Sequence, residues 1–229
     1  MLSLEVAGVG KTFTMHLQGG LRLPILHNLE FAAAAGQCVA LTGPSGIGKS
    51  SILKLIFGNY RCDEGSILVR DGHSAMDIAR ASPRQILSLR GRRLAYVTQF
   101  LRAVPRVCAL DIVAEALTVD PRETAHARAA AMLSRFNVPE RLWSLPPATF
   151  SGGEQQRINL ARGLLPQKSV LLLDEPTASL DADNRDAVIE VVREHKRQGT
   201  AVVTIVHDDV VREAIADVSI DVTRFATAA

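Results

Sequence analysis

Cysteine is scarce in this 229-residue sequence, and its spacing argues against several kinds of site. The three cysteines, Cys38, Cys62 and Cys108, are odd in number and form no C-x-x-C pair. A disulfide framework, a zinc site or an iron–sulfur cluster needs paired or clustered cysteines. We therefore predict unreactive thiols, as in a cytosolic protein, and no radical-cluster chemistry in this chain.

Long hydrophobic runs and a strong excess of one charge are also missing. No apolar run approaches the roughly 20 residues that span a membrane. Residues 1–6 lack the basic start and the long apolar stretch of a signal peptide. The formal net charge is only +2, so we expect no strong field for nucleic acid or acidic lipid. These absences predict a cytoplasmic protein with no nucleic-acid partner and no membrane span of its own.

Apolar runs alternate with helical patterns along the chain, without internal repeats, which favours an α/β fold. Strands that are covered on both faces of a parallel sheet read as continuous apolar runs. Such runs occur at residues 38–42, 93–98, 169–174 and 201–206. A different kind of strand, at residues 65–72, ends in an Asp-Gly turn. We expect it to join the N-terminal strands in a separate antiparallel layer.

The middle of the sequence is predicted to be helical. Asp120-Pro121-Arg122-Glu123 has the features of a helix start, with Asp120 as the N-cap and Pro121 at the first helical position. An alanine-rich run follows and continues to about residue 136. We expect a single domain over residues 1–229, in which a helical subdomain at about residues 100–158 is inserted into the α/β core.

A glycine-rich loop near the N-terminus has a phosphate-binding pattern. Gly43-Pro44-Ser45-Gly46-Ile47-Gly48-Lys49-Ser50 fits G-x-x-x-x-G-K-[ST], and it lies between an apolar strand and a predicted helix at residues 51–57. Glycines let backbone N–H groups converge on phosphate oxygens, and the helix N-terminus favours negative charge. We predict that Gly43–Ser51 binds a nucleotide, with Lys49 on the β- and γ-phosphates and the Ser50 hydroxyl on Mg²⁺.

An acidic strand end supplies a second part of a nucleotide site. The apolar run Val170–Leu173 is followed directly by Asp174 and Glu175. An acidic strand end that simply faces solvent is common, but the phosphate loop in the same chain favours a functional interpretation. Asp174 is expected to hold Mg²⁺, directly or through water, and Glu175 to accept a proton from the attacking water.

A helix start with two glycines is the third part. Ser151 and Glu154 have the spacing of a capping box. An ordinary capped helix does not explain Gly152 and Gly153, because adjacent glycines cost helix stability. They leave the backbone bare at the positive end of the helix, which makes an anion site.

Taken in order, these motifs resemble those of ATP-binding cassette (ABC) ATPases. The phosphate loop, the signature Ser151–Gln155, the strand ending in Asp174-Glu175, the segment Ala178–Asp181 and the strand-terminal His207 follow one another as in that family. The resemblance implies ATP and Mg²⁺ as cofactors. It also implies a head-to-tail dimer, in which the signature of one subunit closes on the nucleotide held by the phosphate loop of the other.

The same resemblance implies roles for four single residues. Phe13 lies where the family has an aromatic ring that stacks on adenine, although a half-buried core aromatic is the alternative. Gln99 matches the glutamine of the Q-loop and would sense Mg²⁺. Asp181 would link the two sites of the dimer, and His207 would contact the γ-phosphate and steady the water. Without the motif order, Gln99 and His207 are ordinary polar residues at strand ends.

Short segments narrow the resemblance further. Residues 99–106, residues 137–143 and Thr149-Phe150 before the signature are similar to the L subunits of the bacterial phosphonate carbon–phosphorus (C–P) lyase system. That similarity implies an accessory ATPase, homodimeric or paired with another ABC subunit, that works with the other subunits of the phosphonate complex (ribose methylphosphonate triphosphate synthase). No residue in the chain is suited to C–P cleavage itself, so that chemistry would belong to a partner.

Two other classes of ABC protein are alternatives. The first is the nucleotide-binding subunit of a membrane transporter, of the lipoprotein-exporter or importer type, docked on a permease. The second is a DNA-repair or chromosome-structure ATPase, which the lack of sustained heptads argues against. With either a phosphonate complex or a permease, the partner is expected to dock after the Q-loop, on Phe100, Leu101, Arg102, Val104 and Arg106.

Overall fold

Two β-sheets organise the residues that the structure describes. This computed structural model describes residues 1–71, 74–101 and 104–227. Its strands are β1 (Leu2–Met15), β2 (Leu21–Ala34), β3 (Cys38–Thr42), β4 (Glu64–Asp71), β5 (Ser74–Asp77), β6 (Leu94–Val97), β7 (Val170–Asp174), β8 (Ala201–Ile205) and β9 (Val218–Asp221). One sheet is parallel, in the order β6-β7-β8-β3-β9, and the other is antiparallel, in the order β2-β1-β4-β5. The predicted α/β fold with an antiparallel layer is confirmed.

In the described part of the chain, seven α-helices connect and cover these strands. They are α1 (Lys49–Ile56), α2 (Pro83–Arg92), α3 (Ala109–Ala114), α4 (Arg122–Arg135), α5 (Gly152–Leu164), α6 (Ala182–Arg197) and α7 (Asp209–Ile215). Helices α3 to α5 lie between β6 and β7 in the sequence, where the helical subdomain was predicted. Within the described residues, none of the helices combines the length and the apolar character needed to cross a membrane.

The parallel sheet lies between two hydrophobic cores because its strands are apolar on both faces. In β7, Leu171 and Leu173 pack with helices α3 to α6, whereas Val170 and Leu172 pack with α1 and the antiparallel sheet. All five residues of β7 are buried. This double burial explains why the strand reads as a continuous apolar run, and it holds the Asp174 end of the strand firmly against its neighbours.

The start of α4 differs from the prediction. Pro121, not Asp120, occupies the N-cap position, with an extended ψ of 143°, so the helix begins at Arg122. The carboxylate of Asp120 accepts a hydrogen bond of 2.6 Å from Arg128 instead of capping the helix. A proline in the N-cap position shifted the boundary by one residue. The Gly72 half of the predicted Asp-Gly turn lies outside the described residues, as does Arg102.

Candidate nucleotide site

The phosphate loop joins the carboxyl end of β3 to α1 and is shaped by its glycines. Gly43, Gly46 and Gly48 have φ values of 129°, 81° and 105°, which L-residues with side chains rarely adopt. At Gly48 space is short as well, because an added Cβ would lie 2.8 Å from the side chain of Ile25. Pro44, Ser45 and Gly46 are exposed, so the crest of the loop is open to a ligand.

Lys49 is buried beneath this loop. Its ammonium donates hydrogen bonds of 2.7 Å and 2.8 Å to the carbonyl oxygens of Gly43 and Pro44. Burial lowers the pKa of Lys49, while the nearby carboxylates of Glu175 and Asp174 oppose that shift. Because its hydrogen bonds go to neutral carbonyl oxygens, the ammonium can exchange them for charged phosphate oxygens without leaving the loop.

Ser50 and Asp174 meet at the foot of the loop, as the sequence predicted. The Ser50 hydroxyl donates to the Asp174 carboxylate over 3.0 Å, and the Tyr96 hydroxyl donates to its other oxygen, also over 3.0 Å. Burial raises the pKa of Asp174, and these two hydrogen bonds act in the opposite direction. A hydroxyl and a buried carboxylate side by side are hard oxygen donors of the kind Mg²⁺ prefers, so the residues present fit this ion.

Sequence reasoning missed Tyr96. It lies on β6, next to β7 in the sheet, with its side chain at the level of Leu172. On the sequence alone, it was predicted only as part of the apolar run at residues 93–98. The polar hydroxyl at the end of an amphipathic ring was the available signal, because a Tyr that is partly buried usually finds a hydrogen-bond partner.

Glu175 holds two of the predicted site residues. Its carboxylate accepts a hydrogen bond of 3.1 Å from the side-chain amide of Gln99 and lies 3.1 Å from Nε2 of His207. Its backbone has a φ of 52°, an uncommon value for a residue other than glycine. Such strained residues persist where the surrounding structure fixes them, and they cluster at functional sites. The three side chains come from the ends of three neighbouring strands, β6, β7 and β8.

The signature forms the exposed start of α5. Ser151 and Glu154 make the predicted capping box: the Ser151 hydroxyl accepts from the Glu154 backbone, and the Glu154 carboxylate accepts from the Ser151 backbone over 2.9 Å. Hydrogen bonds from Ser151 lower the pKa of Glu154. Among the described residues, no hydrogen bond or ion pair joins Ser151–Glu154 to Gly43–Ser51. The exposed Ser151 and Gly152 are therefore accessible to another molecule.

Asp181 and Phe13 occupy positions at the margin of the site. Asp181 is the N-cap of α6, and the hydrogen bonds that it accepts from Asn184 lower its pKa. The ring of Phe13 packs edge-on against Tyr60, with centroids 5.1 Å apart, and the Lys11 ammonium lies 5.2 Å from its centre. The roles implied for these two residues, linking the sites and stacking on adenine, stay predictions.

A cavity of about 870 Å³ opens beside the Ser50–Asp174 pair. It extends along the carboxyl end of β6 to the Q-loop and the end of α3. Its lining includes Gln99, Phe100 and Arg162. Phe100 is 72% exposed and Val104 is 59% exposed, so two of the residues predicted to dock a partner lie at the surface.

Comparisons with known proteins show which family the chain resembles. The family model described as ABC transporter matches residues 26–178. The lipoprotein-releasing system ATP-binding protein LolD of Maricaulis maris is 35% identical over 208 residues, which cover 90% of this chain and 87% of that protein. Solved dimeric structures of the bacterial ABC transporter cassette MJ0796, one of them bound to ADP and Pi, match with a TM-score of 0.83 at 24% identity. They cover 95% of this chain and 96% of theirs.

These comparisons favour a different subgroup of ABC proteins from the one that the sequence analysis predicted. They carry no support for the similarity to phosphonate C–P lyase subunits, and the LolD relative favours the transporter alternative instead. Short segments of two to eight residues suggested the phosphonate subgroup, whereas the LolD match extends over nine-tenths of the chain. The family model covers most of the sequence, and the LolD match covers nearly all of it. The chain therefore belongs to the ATP-binding cassette (ABC) family.

Proposed function

We propose that this protein is the nucleotide-binding subunit of an ABC assembly and that it hydrolyses Mg-ATP at a site completed by dimerisation. One observation carries the proposal: the Ser50–Asp174 hydrogen bond joins the phosphate loop to the strand end that also presents Glu175. Phosphoryl transfer to water requires a phosphate-binding loop, metal ligands and a general base close together, and all three lie here at one edge of the sheet.

Each residue has a defined task in this proposal. Backbone N–H groups of Gly43–Ser51 hold the phosphates, and Lys49 neutralises charge on the β- and γ-phosphates. Ser50 and Asp174 hold Mg²⁺, and Gln99 completes the metal site. The bound ion would neutralise charge that develops on the phosphate oxygens. Phe13 supports the adenine, and Asp181 together with Ser151–Glu154 belongs to the dimer contact.

Glu175 acts as the general base. A water oxygen attacks the γ-phosphorus, the bond from that phosphorus to the bridging oxygen of ADP breaks, and a water proton passes to the Glu175 carboxylate. His207 lies close enough to this carboxylate to hold the water and the γ-phosphate in line. The products are ADP and inorganic phosphate. Because ATP is the substrate, we place the protein in the cytoplasm.

A transporter permease is the partner that we favour. The support is the LolD relative, whose name places it in a lipoprotein-releasing system and whose length this chain covers to 87%. The exposed side chain of Phe100, which lines the 870 Å³ cavity, and the exposed side chain of Val104 nearby in the chain offer apolar contact to a protein partner. We infer that this surface receives a cytoplasmic segment of a lipoprotein-exporter or importer permease.

A phosphonate C–P lyase complex is the second candidate partner. The similarity of residues 99–106 and 137–143 to the L subunits of that system is the specific observation that favours it. In the structure, Trp143 from the second segment donates a hydrogen bond to the carbonyl of Val138. That segment therefore forms a compact turn beside α3 and α4.

ATP hydrolysis is tested with Lys49→Ala. Phosphate release from Mg-ATP and binding of a fluorescent ATP analogue are measured, and both should weaken because the ammonium no longer pairs with the phosphates. Lys196→Ala is the matched control. Its ammonium also bonds a backbone carbonyl, that of Ile215, and it lies at the opposite edge of the sheet. Equal hydrolysis by Lys49→Ala and the control would rule out the proposed site.

The partner is tested by affinity purification and by growth. Tagged protein is captured from detergent-solubilised membranes and from the soluble fraction of its own organism. Co-purification of an integral-membrane permease supports the transporter assignment. Loss of growth on phosphonate as sole phosphorus source after gene deletion, with phosphonate uptake intact, supports the second candidate instead.

A further inference from the structure

Two side-chain amides are buried on the inner face of α5. Gln156 is 5% exposed and Asn159 is 6% exposed, and they lie one turn apart among Ile158, Leu160 and Ala161. Burying an amide is unfavourable unless it is hydrogen-bonded. The partners of these two amides therefore indicate what this face of the helix is built to hold.

Asn159 holds the strand end before the Q-loop. Its amide donates a hydrogen bond of 2.5 Å to the backbone carbonyl of Thr98. The Thr98 hydroxyl in turn donates over 2.7 Å to the carbonyl of Phe100. Gln99 lies between these two anchored carbonyls, so its backbone is fixed from α5 on one side and by a local turn on the other.

Gln156 holds the segment after Glu175. Its amide donates over 3.3 Å to the carbonyl of Pro176, the residue that follows Glu175. The Asn159 amide also lies 3.4 Å from the Gln156 carbonyl oxygen. The two anchors are thus joined to each other as well as to the two strand ends.

A closed ring of contacts results. Asn159 binds Thr98, Thr98 is followed by Gln99, and Gln99 donates to Glu175 over 3.1 Å. Pro176 comes next in the chain, and it is bound by Gln156. The backbone of Glu175 has a φ of 52°, which needs support from its surroundings to persist. Only one helix, α5, supplies both side-chain anchors of this ring, and that helix begins with the signature Ser151-Gly152-Gly153.

We propose that Gln156 and Asn159 are positioning residues that set the spacing of Gln99 and Glu175 and tie it to the position of α5. This inference rests on the proposed ATPase function. A dimer contact at Ser151–Glu154 moves or fixes α5, and the two amides pass that displacement to the carbonyls beside Gln99 and Glu175. In this way a dimer contact at the signature controls how Gln99 and Glu175 are aligned with each other.

The test combines kinetics with a double-mutant cycle. Asn159→Leu and Gln156→Met keep side-chain volume and remove the donors. Each should lower kcat about tenfold, the effect of losing roughly one hydrogen bond, while the Kd for Mg-ATP changes less than twofold.

The double-mutant cycle combines Asn159→Leu with Gln99→Ala. The second substitution should add almost nothing to the first, because both act through the same contact. Thr200→Val, a buried hydroxyl at the opposite edge of the sheet that bonds Lys168, is the control for stability alone.

A second readout does not depend on turnover. Hydrogen exchange of the backbone amides at residues 99–101 and 175–180 should become faster in Asn159→Leu and not in Thr200→Val. Additive effects with Gln99→Ala, or unchanged exchange at residues 175–180, would overturn the inference and leave the ATPase proposal standing. A wild-type chain that neither binds nor hydrolyses Mg-ATP, alone or with its partners, would overturn both.

Discussion

The side-chain amide of Gln99 donates a hydrogen bond of 3.1 Å to the carboxylate of Glu175, although 76 residues separate the two. The parallel sheet makes this possible, because β6 and β7 are neighbours and both carboxyl ends lie at one edge. His207, after β8, approaches the same carboxylate from the other side. The predicted base is therefore held between the predicted metal sensor and the predicted water-positioning residue.

Glu175→Gln tests the role of this carboxylate. The substituted amide keeps the size of the side chain and still accepts from Gln99, so Mg-ATP should bind as in the wild type. Hydrolysis should fall about 10²–10⁴-fold, the usual contribution of general-base catalysis. Single-turnover phosphate release measures the effect. Glu190→Gln, on the exposed surface of α6, is the control and should hydrolyse ATP normally. A wild-type rate in Glu175→Gln would mean that Glu175 is not the base.

The parts of the fold that were predicted from sequence are those with strong local signals. Strands β3, β6, β7 and β8 are buried on both faces and so read as apolar runs. The phosphate loop is recognisable because its glycines are required by φ values that other residues avoid. Strand β9 was not predicted. It is an edge strand of four residues, of which three are exposed, so no apolar run marks it.

The polar anchors of the site were harder to predict. Gln156 and Asn159 alternate with apolar residues on α5, and a polar residue on an amphipathic helix is normally assigned to the solvent face. Their burial follows from the backbone carbonyls of Thr98 and Pro176, which only the folded sheet brings to that helix. Spacing within one element cannot reveal a partner that another element supplies.

Ser151→Arg tests the dimer. The similarly folded cassette MJ0796 is dimeric, and the helix start at Ser151 is exposed in the single chain. In the Glu175→Gln background, Mg-ATP should convert the protein from monomer to dimer, measured by light scattering. Adding Ser151→Arg places a bulky cation on the signature and should return it to monomer. Ser134→Arg, at an exposed position of α4, is the control. Persistent ATP-dependent dimers in the Ser151→Arg variant would argue against the composite site.

His195 should make stability depend on pH. It is 6% exposed, its Nε2 bonds the Leu164 carbonyl over 2.8 Å, and its Nδ1 has no hydrogen-bond partner among the residues that the structure describes. Burial lowers the pKa of His195, an effect opposed by its contact with Leu164 and the nearby Glu194 and added to by Arg135. The unfolded chain therefore binds a proton more readily than the folded chain. Stability from neutral His195 is complete above the unfolded pKa of about 6.5 and falls as the pH drops below it.

His195→Gln removes this titrating group, so comparison with the wild type isolates its contribution to the pH dependence of stability. Urea unfolding from pH 7.5 to pH 5 should show a shallower loss of stability in the variant, with a difference in slope of up to about 1.4 kcal/mol per pH unit. His16→Gln removes an exposed imidazole in the β1–β2 turn and should match the wild-type profile. Parallel profiles for wild type and His195→Gln would show that the buried imidazole is not the group responsible.

Gly163→Ala tests how closely α5 packs on the sheet. A Cβ added at Gly163 would collide with the side chain of Val97, which is fully buried on β6 and stiff because it is β-branched. Alanine favours helices over glycine by about 1 kcal/mol, but overpacking a core typically costs about 1–3 kcal/mol. We therefore expect net destabilisation in chemical unfolding. Gly91→Ala, near the end of α2 with nothing within 4 Å of its added Cβ, should instead be neutral or stabilising. If Gly163→Ala were as stable as Gly91→Ala, then α5 would not be packed tightly against β6, contrary to the close approach of Gly163 and Val97.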